Sequence, residues 1–239
     1  MNENLPHEIV DNHNPALAQD DLAPDFPAQE SDRAFYMDLA IQEARNAEAI
    51  DEVPIGAVVV YDPVDPATRK HLRQPRVIAT GYNMREHTQD PSAHAEFIAM
   101  KRAAEALGSW RLTGCTVYVT LEPCPMCAGL MQQSRVTCCV YGAPDPKAGY
   151  LGSLYDVSSD ERLNHSFPVV AGICEEACAH LLKDYFAKKR KLSKARKASK
   201  EGKLSEAEKQ TNANMANATA EQTEQTSANK LGKSEGFEQ

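Results

Sequence analysis

His94 and Glu96 stand one residue apart at the start of the segment SAHAEFIAMKRAAEALG, and Cys124 and Cys127 follow in LEPCPMC. The first segment reads as a helix, and a helix buries a stripe that recurs every three or four residues. A spacing of two puts His94 and Glu96 on different sides, so packing alone gives no reason for the pair. Cys124 and Cys127, at a helix start, can face one side of it, where the helix dipole favours the thiolate form that binds metal. With His94 they offer one nitrogen and two sulfur donors. A structural zinc site is closed by four protein ligands; three leave a position for water, which zinc makes acidic enough to act as hydroxide near neutral pH. Glu96, beside that water without ligating, would shuttle its proton to substrate and leaving group.

The elements that must position these groups alternate along the chain. SDRAFYMDLAIQEARNAEA carries a helical stripe at Ala34, Met37, Ala40, Ile41 and Ala44, with Ser31 or Asp32 placed to cap it. VPIGAVVVY and RVIATGYN read as short strands, the first starting at a proline, and the Pro- and Asp-containing stretch from Asp62 to Pro75 between them reads as a solvated loop. The His94 helix ends near Gly108, CTVYVTL is a buried strand, and CPMCAGLMQQS is a short helix with Pro125 at its first position. VTCCVYG is a further strand, the segment from Phe167 to Ile173 another, and CEEACAHLLKDYFAKKRK the closing helix. This alternation predicts an α/β fold with helices on both sides of a central sheet.

The ends of the 239-residue chain differ from its middle. Residues 1–31 form an acidic arm without Lys or Arg, which has little to bury and is expected to be disordered. The segment 192–239 is basic at first and then rich in Thr, Asn, Gln and Ala, and reads as a solvated tail. Between them, 32–191 has the length of one domain. The formal charge of -8 does not exclude RNA, because attraction depends on a local patch and the acidic arm supplies much of the deficit. The chain start lacks the features of a secretory signal or transit peptide, and no run is apolar enough to span a bilayer, so a cytoplasmic protein is expected. The seven cysteines, odd in number, argue for reduced thiols and metal binding over a disulfide framework.

HxE followed by PCxxC is the signature of the zinc-dependent nucleobase and nucleoside deaminases. Each half alone is weak; in this order, each at a helix start, they are specific. EVPIGAVVV, GYN, DPSAHAE, VYVTLEPCPMCAGLM, YGAPDPKAG, GSLYDV, LNH and LLKDYFAKKR closely resemble the tRNA-specific adenosine deaminases of bacterial type, from about Asp32 to Lys191. That resemblance implies a three-layer α/β/α, cytidine-deaminase-like fold with a central mixed sheet of about five strands. It implies one zinc per subunit of a homodimer, bound by His94, Cys124 and Cys127, with Glu96 as proton shuttle. It further implies hydrolytic conversion of the wobble adenosine to inosine in an arginine tRNA anticodon loop, by attack of zinc-bound hydroxide on C6. Asn83 corresponds to an asparagine that hydrogen-bonds the adenine, and Asp145 to an aspartate near the neighbouring ribose. Ala95 falls among the substrate contacts, and Tyr185, Phe186, Lys189 and Arg190 correspond to an aromatic and basic helix end that touches the anticodon loop. Of the two aromatics, Phe186 is the one expected to be ordinary core.

Two other readings compete. A deaminase of free bases or nucleosides, of guanine or cytosine type, would use the same zinc site; GSLYDV and the aromatic, basic helix end disfavour it. A nonenzymatic zinc-stabilised scaffold has no use for an unligated carboxylate at position 96. Cys138 with Cys139, and Cys174 with Cys178, fit core packing better than a second metal site. His165 matches the family and is open to a structural role, and His180 reads as surface or core.

Overall fold

The stripe of the first helix is realised in three dimensions. In the computed structural model, which describes residues 30–65, 67–68, 70–197, 199, 210–211 and 214–215, helix α1 (Glu30–Ala49) buries Met37, Ala40, Ile41, Ala44 and Ala47. The helix is described from Glu30 onward, so Ser31 and Asp32 lie within it. The strands are β1 (Gly56–Tyr61), β2 (Arg76–Tyr82), β3 (Cys115–Leu121), β4 (Cys138–Ala143) and the two-residue β5 (Val169–Val170). They form one mixed sheet in the order β2-β1-β3-β4-β5. Ala57 of β1 lies opposite Gly81 of β2 and Val119 of β3, both antiparallel, whereas β3, β4 and β5 run parallel.

Successive strand residues point to opposite faces, and here both faces are covered. Val58, Val60, Tyr118, Cys138 and Val140 pack with α1 and with Cys178 of the closing helical segment. Ala57, Val59, Val117, Val119, Cys139 and Tyr141 pack on the other face with Ala99, Met100 and Ala103 of α3 (Ala95–Leu107) and with Ala128 and Met131 of α4 (Pro125–Ser134). This is the three-layer α/β/α arrangement that the alternation predicts. Burial pushes the thiols of Cys115, Cys138 and Cys178 up to about 12, so these are small core residues at neutral pH. A short helix not anticipated from the sequence, α2 (Arg85–Thr88), follows β2.

The loop after β1 is solvated as expected, with Lys70, His71 and Arg73 exposed, and it is also locally organised. Val64 bridges His71, and the buried Asp62 carboxylate lies 2.7 Å from His71 Nδ1. The chain divides into two compact units, residues 1–185 and 186–239. The first closes with helical residues 175–185, just after Cys174, whose backbone is left-handed at φ 54°. The second begins helically over 186–197, so helix enters the stretch that composition assigns to a tail. The acidic arm and most of that tail lie outside the described residues. Among the described residues, no helix is long and apolar enough to cross a membrane.

Candidate active site

The metal-type residues come from the starts of two helices. His94 and Cys124 occupy the N-cap positions of α3 and α4 in extended backbone, so His94 stands just before its helix and not within it. Gly81 lets α3 approach the sheet: a Cβ there would lie 2.6 Å from the Ala95 carbonyl oxygen and 2.8 Å from the Ala99 nitrogen. Cys124 lies just beyond the carboxyl end of β3, where open α/β sheets commonly place their ligands.

His94 Nδ1 is 3.6 Å from Cys124 Sγ and 3.7 Å from Cys127 Sγ, and the donor atoms of this trio lie within 4.8 Å of one another. A tetrahedral zinc with bonds of about 2.3 Å to sulfur and about 2.0 Å to nitrogen needs a nitrogen-to-sulfur edge of about 3.5 Å. The donor set therefore fits zinc in type and spacing. Hydrogen bonds from Cys127 and His94 pull Cys124 down to about 4, so it is a thiolate at neutral pH. Cys127 is pushed far up by donating to that thiolate and by burial, so binding a metal must release its proton. Among the described residues no other cluster of this kind occurs.

Glu96 follows in the first turn of α3 and is 4% exposed. Burial pushes its carboxyl up to about 7, with the Cys124 thiolate adding to the rise. A carboxyl balanced between its two states suits a group that must take up a proton and return it.

Asn83, just after β2, is 6% exposed; its backbone N–H donates to the Ile55 carbonyl and its Nδ2 donates to Glu52 at 3.0 Å. The next residue, Met84, donates to the carbonyl of Ala93, immediately before His94, so Asn83 is tied to the metal end of α3. Ala95 is fully buried at that same helix start. Asp145 is half-buried in the loop after β4; its Oδ1 accepts the amides of Lys147 and Ala148.

The aromatic pair reverses the expectation. Tyr185 is 6% exposed and its hydroxyl donates to the Asp51 carbonyl, so it is not a stacking surface, whereas Phe186, expected as core, is 44% exposed. Neighbouring helix positions point about 100° apart, and packing decided which one turned inward. Lys189 is half-buried and Arg190 exposed, both in the second unit. His180 is exposed, and His165 donates from Nε2 to the Val136 carbonyl and stacks on Phe167, a structural placement.

Besides Asp62, two buried carboxylates escaped the sequence reading. Glu52 is 1% and Glu122 2% exposed. Glu122 accepts the amides of Asp145, Leu151 and Ser153 and the Ser153 hydroxyl, and so ties the loop after β4 to the segment that carries Cys124. Gly149 makes room for it, since a Cβ there would fall 2.2 Å from the carboxylate. The available signal was an acid abutting an apolar strand run: Glu52 just before VPIGAVVV and Glu122 just after CTVYVTL.

The family model for the cytidine and deoxycytidylate deaminase zinc-binding region matches residues 30–143. The chain is 47% identical over 161 residues to the tRNA-specific adenosine deaminase of Bacillus subtilis (strain 168), covering 67% of this chain and 92% of that protein. The chain belongs to the tRNA-specific adenosine deaminase family. It is a zinc-dependent hydrolytic deaminase. The relative named tRNA-specific adenosine deaminase in Haemophilus influenzae (strain ATCC 51907 / DSM 11121 / KW20 / Rd) is 39% identical, covering 68% of this chain and 87% of its own length. A solved structure from studies of A-to-I editing by tRNA:A34 deaminases at the wobble position superposes with a TM-score of 0.55 at 40% identity, covering 62% of this chain and 99% of that one. A guanine deaminase from Nitrosomonas europaea, at 22% identity and a TM-score of 0.51 over 78% of this chain and 96% of its own, shares the fold alone.

Proposed function

We propose that this enzyme converts the wobble adenosine of an arginine tRNA to inosine, working in the cytoplasm as a homodimer with one zinc per subunit. The observation that carries the reading is the buried, unligated Glu96 beside the His94, Cys124 and Cys127 donor set, in a chain 47% identical to a tRNA-specific adenosine deaminase. The deaminase domain is taken as 32–191, with an acidic arm before it and a basic, then polar, tail after it.

The reaction consumes one water and releases ammonia: an oxygen is added at C6 of adenine and the carbon–nitrogen bond to the amino group breaks. His94, Cys124 and Cys127 would hold zinc, which as a Lewis acid would supply a water acidic enough to act near neutral pH. Glu96 takes the proton on a carboxylate oxygen, hands it to the ring nitrogen, and then serves the departing ammonia. Asn83 holds the base by its amide, and the fully buried Ala95 contributes through its backbone. An anticodon loop base is already largely unstacked, so bringing it into such a site costs less than from a duplex. By the family resemblance Asp145 contacts the loop from the first unit, and the basic Lys189 and Arg190 of the second unit are RNA contacts by the same resemblance.

The test is incubation of purified, zinc-loaded protein with an arginine tRNA anticodon stem-loop, with free adenosine, cytidine and guanine in parallel. Inosine in the RNA alone is expected. Turnover of a free base alone would overturn the RNA reading and leave the chemistry.

A further inference from the structure

Glu52 is almost fully buried, and its carboxylate accepts Asn83 Nδ2 at 3.0 Å on one oxygen and the His87 backbone amide at 2.6 Å on the other. Among the described residues it makes no ion pair. A buried carboxylate without a cation is expensive, so its place is explained by what only that group does there: it accepts an N–H on each oxygen and donates none. The turn that presents it is braced. Asp51 has a left-handed backbone (φ 65°), its carbonyl accepts the Tyr185 hydroxyl at 2.8 Å, and the Glu52 amide donates to the Ala47 carbonyl at 3.0 Å.

The consequence falls on Asn83. An asparagine amide can turn over and exchange its donor and acceptor ends; with Nδ2 held on a carboxylate, the turned-over form would set oxygen against oxygen. The residue is left with its Oδ1 and one N–H for a ligand, in one fixed order. We propose that Glu52 is a positioning residue for base recognition: it locks the Asn83 amide so that the purine meets a fixed donor and acceptor edge. The inference rests on the reading of Asn83 as the base contact.

A double-mutant cycle on the full-length, zinc-loaded enzyme tests it, with kcat/KM for inosine formation in the stem-loop as readout and zinc content and Tm followed alongside. Glu52→Gln keeps the shape but has one acceptor oxygen, so one of the two N–H groups then faces an N–H. Glu52→Gln is expected to lower kcat/KM by about tenfold with zinc retained, and Asn83→Ala by at least as much. In the Asn83→Ala background, Glu52→Gln is expected to add less than about twofold, the mark of residues acting through one another. The same factor in both backgrounds overturns the inference while leaving Asn83 as the base contact. Unchanged kcat/KM for Asn83→Ala overturns the reading of Asn83 and the inference with it. Where Glu52→Gln does not fold, Glu52→Asp, which keeps both acceptor oxygens on a shorter stem, takes its place in the cycle. Failure of both to yield zinc-loaded protein makes Glu52 a folding residue and overturns the inference as well.

Discussion

Glu96, in the first turn of α3, and Glu122, just after β3, are both buried carboxylates, and the two behave in opposite ways. Glu96 is 4% and Glu122 2% exposed, so surface exposure does not separate them, although the Glu96 carboxyl lies deeper. Burial dominates at Glu96 and pushes it up to about 7. At Glu122 burial acts in the same direction but is outweighed by hydrogen bonds from the Ser153 hydroxyl and from the amides of Asp145, Ser153 and Leu151, and the group ends below the ordinary carboxylate range. A carboxylate surrounded by donors stays ionised and holds structure; one short of donors is free to exchange a proton.

The contrast is broken most severely at Glu96. Glu96→Ala is expected to lower turnover by roughly 10²–10⁴-fold, the range for general acid–base groups, with zinc and fold retained. An inosine assay beside metal analysis checks it, and loss of zinc together with activity would make Glu96 structural. The mirror substitution, Glu122→Ala, orphans buried amides of the loop after β4 and is expected to cost about 1–3 kcal/mol of stability in urea unfolding. A fully stable Glu122→Ala protein would remove the distinction between the two carboxylates.

Gly149→Ala attacks the same cradle from its other side. It places a methyl group against the Glu122 carboxylate, and a loss of about 1–3 kcal/mol is expected from overpacking. Because the two positions touch, the double variant is expected to lose less than the sum of the singles. The smallest effect tests the burial half of the comparison alone. Burial lowers the pKa of His165 below its ordinary value, with Arg135 acting in the same direction. The unfolded chain therefore takes up a proton first as pH falls through about 6.5, and the contribution of His165 is present above that pH and lost below it. His165→Asn is expected to show a shallower fall in Tm between pH 7.5 and 5.5 than the parent; equal slopes would mean that His165 does not feel its burial.

Much of the molecule was legible along the chain. The strand runs, Pro125 at the start of α4 and Gly108 at the end of α3 are local signals, and each acts within a few residues. The metal set was legible because its residue types have little other reason to stand at those spacings. What escaped was directional. Tyr185 and Phe186 are both apolar and adjacent, so composition could not choose which faces inward. Glu52 and Glu122 look like ordinary acids at strand ends until the segments that donate to them are in place.

The sequence by itself determined the order of elements, the nitrogen and two sulfur donors, and the unligated carboxylate beside them, because side-chain chemistry and backbone preference belong to single residues and short windows. Only the tertiary structure decided that His94 comes to 3.6 Å from Cys124, that Glu96 is held near neutrality while Glu122 is held ionised, and that Asn83 is tied to Glu52. Those are properties of pairs distant in sequence, and their distances, desolvation and hydrogen bonds exist only once the sheet has brought the pairs together.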